Sequence, residues 1–154
     1  MAVGAEILLD GPYGHAYLRK DIDREIVCIA GGSGIGPMLS IAGGALGKGP
    51  GPSVHFFEGA RTQSDLCGGN LLARLTPQAA SRLRYTPVLS AATQDAWSGA
   101  RGFVHELVTP SLPLPLDRYE YYFAGPPPMI EAVQTLLAVQ NEVPHSQIHF
   151  DRFV

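Results

Sequence analysis

Residues 31–37, GGSGIGP, combine the features of a phosphate cradle. Glycines let backbone N–H groups come close to a pyrophosphate, Ser33 can add a hydroxyl donor, and Pro37 suits the first turn of a helix, whose positive end favours anions. Gly31, Gly32, Ser33, Gly34, Ile35, Gly36 and Pro37 are therefore candidate binding residues. The segment is neither familiar phosphate fingerprint: Pro37 stands where G-x-G-x-x-G needs its third glycine, and no G-K-[ST] ends the loop. A tight strand-to-helix turn would use the same glycines, so the loop alone leaves both readings open. A second cluster, AGPPPMI (124–130), repeats the logic. Gly125 permits close backbone approach, and Pro126 and Pro127 cost no hydrogen bond in a first helical turn, where N–H groups have no helical partner. Two such turns at one sheet edge could hold two ends of an extended ligand; alone, the second could equally be only a helix start.

Other constellations carry less. His145 and His149 have a metal-ligand spacing for a helix, but Pro144 and the strand-like QIHF oppose a helix there, and no metal site is expected. His15, His55 and His105 are isolated and have ordinary structural or surface readings. Cys28 and Cys67 form no C-x-x-C, so this chain alone builds neither a zinc site nor an iron-sulfur cluster. G-x-S-x-G is absent, which leaves a hydrolase nucleophile unsupported. Trp97, Tyr119, Tyr121 and Tyr122 have no interleaved lysine or arginine, and packing of a sheet is a better use for them than base stacking.

The elements that would position the two turns follow from periodicity. EIVCIA (25–30) is a nearly continuous apolar run, as in a strand covered on both faces, and a glycine-rich loop and helical stretch follow it. The unit recurs: SVHFFE (53–58) precedes a helical stretch near 66–75, LRYTPVLS (83–90) precedes one near 104–108, and YEYYFA (119–124) precedes the clearest helix. There Met129, Ile130, Val133, Leu136 and Leu137 recur at helical spacing, with Glu131 and Gln134 on the other face. Residues 147–150 give a last short strand. This alternation predicts an α/β fold, a doubly wound, mostly parallel five-stranded sheet with helices on both faces, with ligands outside the carboxyl ends of the strands. Before it, residues 7–9 and 16–18 are strand-like runs around DGPYG, whose Pro12 and Gly14 mark a turn, so the first twenty residues predict a hairpin.

At 154 residues and 45% hydrophobic content the chain has the size of one ordinary domain. A formal net charge of −3 provides no basic field for nucleic acid or anionic lipid, and neither is an expected partner. No apolar run reaches the roughly 18 residues that suggest a membrane span, and the N-terminus has no cationic segment before a long apolar run. The expected location is cytoplasmic. The 18 glycines and 13 prolines fall between apolar runs, as in a loop-rich globular domain.

GGSGIGP, FEGAR (57–61), WSGARGFV (97–104), YYFAGPPPMI (121–130) and HFDRF (149–153) occur in an order and approximate spacing that resemble the nucleotide domain of the ferredoxin reductase superfamily. They look most like the reductase components of bacterial aromatic-ring monooxygenases and dioxygenases. Each motif is weak alone; five in order, over nearly the whole chain, are specific. The resemblance implies that the first loop, with Ser33, holds the pyrophosphate and the nicotinamide side. It implies that Gly125, Pro126 and Pro127 wall the nicotinamide pocket and that Arg61 and Asp65 lie near the adenosine ribose. A carboxylate at Asp65 accepts bonds from ribose hydroxyls and repels an added phosphate, whereas Arg61 could pair with one; NADH is expected over NADPH. HFDRF resembles the aromatic-ended tail that covers the flavin ring, with Phe153 as ring cover and Asp151 near the nicotinamide, although a terminal strand in which Phe153 merely packs would look the same. Ser33, Asp151 and Phe153 would then align nicotinamide and flavin.

Two departures from the family stand out. Ala124 replaces the cysteine that many relatives carry before GPP, and the family's Arg-x-Tyr-Ser flavin motif is missing. DGPYGHAYLR (10–19) resembles only the closing hairpin of the flavin domain. Residues 1–22 are therefore expected to be that hairpin and 23–154 the NAD-binding domain, with the natural polypeptide extending upstream of Met1. The implied parent passes electrons from NADH through FAD to an iron-sulfur centre, a ferredoxin or an oxygenase component, any cluster lying outside this chain; the 154 residues alone would bind nucleotide with little turnover. Within the same class, a flavohaemoglobin-type reductase would differ only in its acceptor. The rival from another class is a non-redox nucleotide-sensing or docking module on the same fold.

Overall fold

A computed structural model describes residues 2–153 apart from 9, 12, 20, 48, 76 and 92–96, and gives the backbone alone of residue 75. Its centre is a parallel sheet of β1 (Glu25–Gly31), β2 (Val54–Ala60), β3 (Leu83–Leu89), β4 (Ala100–Arg101), β5 (Tyr119–Gly125) and β6 (Ile148–Arg152), in the order β4-β3-β2-β1-β5-β6. The sheet therefore has six strands where five are expected from the sequence. The additional one, β4, is a two-residue edge pairing with the end of β3, inside the WSGARGFV motif and too short to leave a periodic signature. Trp97 braces it, donating from Nε1 to the Ala100 carbonyl at 2.9 Å.

The helices are α1 (Ile35–Ala45), α2 (Gly68–Leu75), α3 (Val104–Ser111) and α4 (Pro127–Gln134), the last running on through a wider turn at Thr135–Gln140. Period-two alternation along the central strands sorts them onto opposite faces. Ile26, Cys28 and Ala30 of β1 and Tyr122 and Ala124 of β5 pack with Met38, Leu39, Ile41 and Ala42 of α1 and Leu72 of α2. Val27 and Ile29, with Tyr119, Tyr121 and Phe123, pack with Val104 and Val108 of α3 and Ile130 and Val133 of α4. The apolar stripe of α4 is the one periodicity predicts: Ile130, Val133 and Leu137 are buried, and Glu131 is exposed. Four of the six tyrosines belong to these layers as core or as side chains packed against it. Phe123 stacks on Phe150 at 5.2 Å and Tyr122 on His149 at 5.0 Å, which joins β5 to β6 on both faces.

The predicted N-terminal hairpin is not formed by the described residues, none of which lies in a strand before Glu25; positions 9 and 12 of that expectation fall outside them. A two-stranded hairpin alone is marginal in water. The segment instead takes its backbone partners from the domain body. The amides of His15 and Ala16 donate to the Asp151 carboxylate, the first at 2.7 Å, and the Arg19 amide donates to the Tyr122 hydroxyl at 3.0 Å. Arg24 pairs with the buried Glu120 at 3.1 Å, and His149 meets the other oxygen of that carboxylate at 2.6 Å. Among the described residues no helix is long and apolar enough to cross a membrane.

Burial raises the phenols of Tyr85, Tyr119, Tyr121 and Tyr122 above their ordinary 10.0. Each is held neutral in the fold, so its contribution to stability is complete below pH 10 and is lost as pH rises beyond it. The thermal midpoint is expected to fall as pH rises through about 10. The native chain is likewise expected to ionise fewer phenols near that pH than the unfolded chain, read by absorbance near 295 nm; phenols that all titrate normally in the folded chain would contradict this.

Candidate functional site

The sheet changes direction between β1 and β5: from β1 the chain steps outward through β2, β3 and β4, whereas β5 and β6 lie on the other side. The helices that follow β1 and β5, α1 and α4, leave on opposite faces, so a crevice must open between their first turns. A cleft of about 740 Å³ lies along this edge, a volume ordinary for a small-molecule or cofactor site. Its wall includes Gly31 and Gly32 after β1, Pro126 and Met129 after β5, Arg61 and Asp65 after β2, and Phe103 before α3.

The glycines divide by role. Gly34 is buried, and a Cβ there would lie 1.9 Å from the Ala124 carbonyl oxygen; one on Gly125 would lie 3.1 Å from the Gly31 oxygen and 2.7 Å from Met129 Cε. Gly31 would meet Met129 Sδ at 2.6 Å. These three glycines let the two turns touch each other. Gly32 and Gly36, by contrast, have nothing within 4 Å of a built Cβ, and Gly32 takes φ +53°, a left-handed conformation that side chains disfavour. Gly32 and Gly36 are therefore open to close approach by a ligand. Ser33 is exposed in the single turn of 3-10 helix, Gly32–Gly34, that leads into α1, and Gly36 and Pro37 lie in the first turn of α1. Pro37 lacks an N–H where none has a helical partner.

A family model for the oxidoreductase NAD-binding domain matches residues 28–135, from the middle of β1 to just past the end of α4. The chain belongs to this family. It is 35% identical to the anthranilate 1,2-dioxygenase electron transfer component of Acinetobacter baylyi, over 99% of this chain and 43% of that protein. It is 38% identical to the propane 2-monooxygenase reductase component of Gordonia sp., over 99% of this chain and 44% of that protein. Among solved structures it resembles the ferredoxin reductase in carbazole 1,9a-dioxygenase, with a TM-score of 0.76 and 32% identity over 90% of this chain and 40% of that one. The chain thus spans less than half the length of these relatives.

The cleft of this NAD-binding domain brings together two glycine turns at a switch point, one of them open to close approach by a ligand, and the charged side chains of Arg61 and Asp65. Arg61 and Asp65 are carried by the loop between β2 and α2. Asp65 is exposed, and its Oδ2 accepts from the Thr62 amide at 2.9 Å and the Thr62 hydroxyl at 2.8 Å. Those two bonds, and then the charge of Arg61, hold its carboxyl pKa below the ordinary 3.8. The carboxylate is thus committed first to shaping its own loop, and the residue also lines the cleft.

Of the residues expected from sequence, Gly31, Gly32, Arg61, Asp65 and Pro126 line the cleft, whereas Ser33, Gly34 to Pro37, Gly125 and Pro127 lie beside it. Asp151 and Phe153 are outside its lining. The Asp151 carboxylate is occupied by the amides of His15 and Ala16, and a Cβ on Gly14 would lie 2.5 Å from one of its oxygens. Phe153 continues β6, donating its amide to the Gly125 carbonyl at 3.1 Å, with its side chain exposed beside the second turn. Sequence reasoning missed Glu58, Thr62, Ser90, Phe103 and Met129 as wall residues. In sequence Met129 looks only like a core position of α4, and the exposure of Phe103, 62%, shows only in the structure.

The division of the glycines has a measurable consequence. Gly34→Ala is expected to lower stability by about 2 kcal/mol or more, because the contact it breaks is backbone against backbone. Gly36→Ala, in open space within a helix, is expected to raise stability by up to ~1 kcal/mol while weakening dinucleotide binding. Thermal melts with calorimetric titration read both; equal destabilisation by the two substitutions would refute the division.

Proposed function

We propose that this domain holds NADH in the switch-point cleft and presents its nicotinamide to a flavin, FAD, carried by a preceding domain. The parent protein then passes electrons singly to an iron-sulfur centre, a ferredoxin or an oxygenase component. The observation that carries the reading is the joining of the two glycine turns, one open to a pyrophosphate and the other placing Pro126 on the cleft wall. The names of the relatives, an electron transfer component and a reductase component of oxygenases, support the direction of electron flow. The flavin, when bound, accepts a hydride and releases single electrons. The residues of this chain bind and orient: Gly32 and the first turn of α1 receive the pyrophosphate, Arg61 and Asp65 flank the adenosine ribose, and Gly125, Pro126 and Pro127 wall the nicotinamide.

Residues 1–22 serve in this reading as the closing segment of the flavin domain. Val3, Ile7, Leu8, Tyr13 and Tyr17 are exposed there, a larger apolar display than an isolated surface arm needs. The bonds of Asp151 to His15 and Ala16 would then fix the angle between the two domains, and Phe153 would cover the flavin ring. A non-redox sensing module is disfavoured, because the family is one of oxidoreductase domains.

Calorimetric titration of the chain with NADH, NADPH and AMP tests the reading. NADH is expected to bind more tightly than either of the others, and dye reduction by NADH without added flavin to be negligible. AMP binding equal to that of NADH would leave the nicotinamide pocket without a function and overturn the proposal.

A further inference from the structure

Glu58, at the carboxyl end of β2, is 4% exposed yet lines the cleft. A buried carboxylate requires compensation, and its partners show where it comes from. Oε1 accepts from the Cys67 amide at 3.1 Å, and Oε2 accepts from the Gly68 amide at 3.0 Å and from the Tyr85 hydroxyl. Cys67 and Gly68 are the residues at which the β2–α2 loop ends and α2 begins. The residue that opens the loop therefore also holds its far end, and residues 59–67 form a closed ring. Within that ring the bonds from Thr62 to Asp65 make a second, smaller clasp. Burial, and then the bond to Glu58, raise the pKa of the Tyr85 phenol above its ordinary value, so it remains a donor at neutral pH.

The ring carries Arg61 and Asp65. With Glu58 included, the charged side chains of the cleft wall among the described residues are two carboxylates and one guanidinium. A ribose 2′-phosphate would bring a charge of roughly −1.5 to −2 to that wall, by analogy with a phosphomonoester on a side chain.

We propose that Glu58 is a specificity-determining and positioning residue of the nucleotide cleft: it closes the loop that presents Arg61 and Asp65, and its charge disfavours a 2′-phosphorylated ribose. The inference rests on the reading of the cleft as a dinucleotide site. It differs from a simple helix cap in predicting a change of selectivity, not only of stability.

The test compares the wild-type chain with Glu58→Gln, which keeps the size and one acceptor oxygen but removes the charge, and with Tyr85→Phe, which keeps the charge but loosens the clasp. Kd for NADH and for NADPH is measured calorimetrically for each. Glu58→Gln is expected to reduce the preference for NADH about tenfold, mainly by tightening NADPH. Tyr85→Phe is expected to reduce it about threefold, mainly by weakening NADH, since loss of one hydrogen bond loosens but does not open the ring. An unchanged NADH to NADPH ratio in Glu58→Gln, whether or not its melting temperature falls, would overturn the proposal while leaving the dinucleotide site standing. If Glu58→Gln does not fold, the ratio in Tyr85→Phe decides by the same criterion. Binding of neither nucleotide by the wild-type chain would overturn the underlying reading, and this proposal with it.

Discussion

The constraint on which the site depends is the contact between the turn after β1 and the turn after β5. These strands are neighbours in the sheet, and their helices depart to opposite faces, so the chain must leave the sheet twice within a few ångströms. Side chains at the crossing would force the turns apart. At Gly34 there is no room even for a methyl group against the Ala124 carbonyl, and Met129 closes over Gly31 and Gly125 from the other side. The first turns of α1 and α4 are thereby brought to one edge, with the crevice between them. The phosphate cradle and nicotinamide wall proposed for these turns would follow from this crossing, because the same close approach that needs glycine also exposes backbone N–H groups.

The second fixed feature is the β2–α2 loop, held by carboxylates instead of glycines. Glu58 ties its ends and Asp65 ties its middle, so the acidic groups that would select a ribose also maintain the loop's shape. Each carboxylate thus contributes both shape and charge to the loop. The first glycine turn has no such coupling, since Gly32 and Gly36 touch nothing and remain free to meet a ligand.

Much of this was legible because the strands are buried on both faces. EIVCIA is a nearly continuous apolar run and YEYYFA a largely aromatic one, and both became central strands of the layered core. The stripe of α4 was legible because its period matches the helix. The short edge strand β4 was not, since two residues have no periodicity. Nor could the sequence separate the glycines that serve packing from those open to a ligand, because both uses need a missing Cβ, and only the location of the Ala124 carbonyl and the Met129 side chain distinguishes them. Glu58 was hidden for a different reason: within SVHFFE it looks like the polar end of a strand, and its significance depends on amides nine and ten residues further along.

The N-terminal segment illustrates the limit of local pattern. Its strand-like residues describe what the segment would do if paired with another strand, and among the described residues it forms no such pairing. It lies instead along β5 and β6, where Asp151 accepts two of its amides and Tyr122 a third. Because Gly125 closes the second turn and its carbonyl also receives the amide of Phe153, the same strand ends that form the cleft anchor the segment leading into the domain. The segment is therefore tied through β6 to the turn that carries Gly125 and Pro126, and Ala16 and Leu18 also pack against the core. A domain joined at this point would be mechanically coupled to the cleft, as two cofactors that must be held in fixed alignment require.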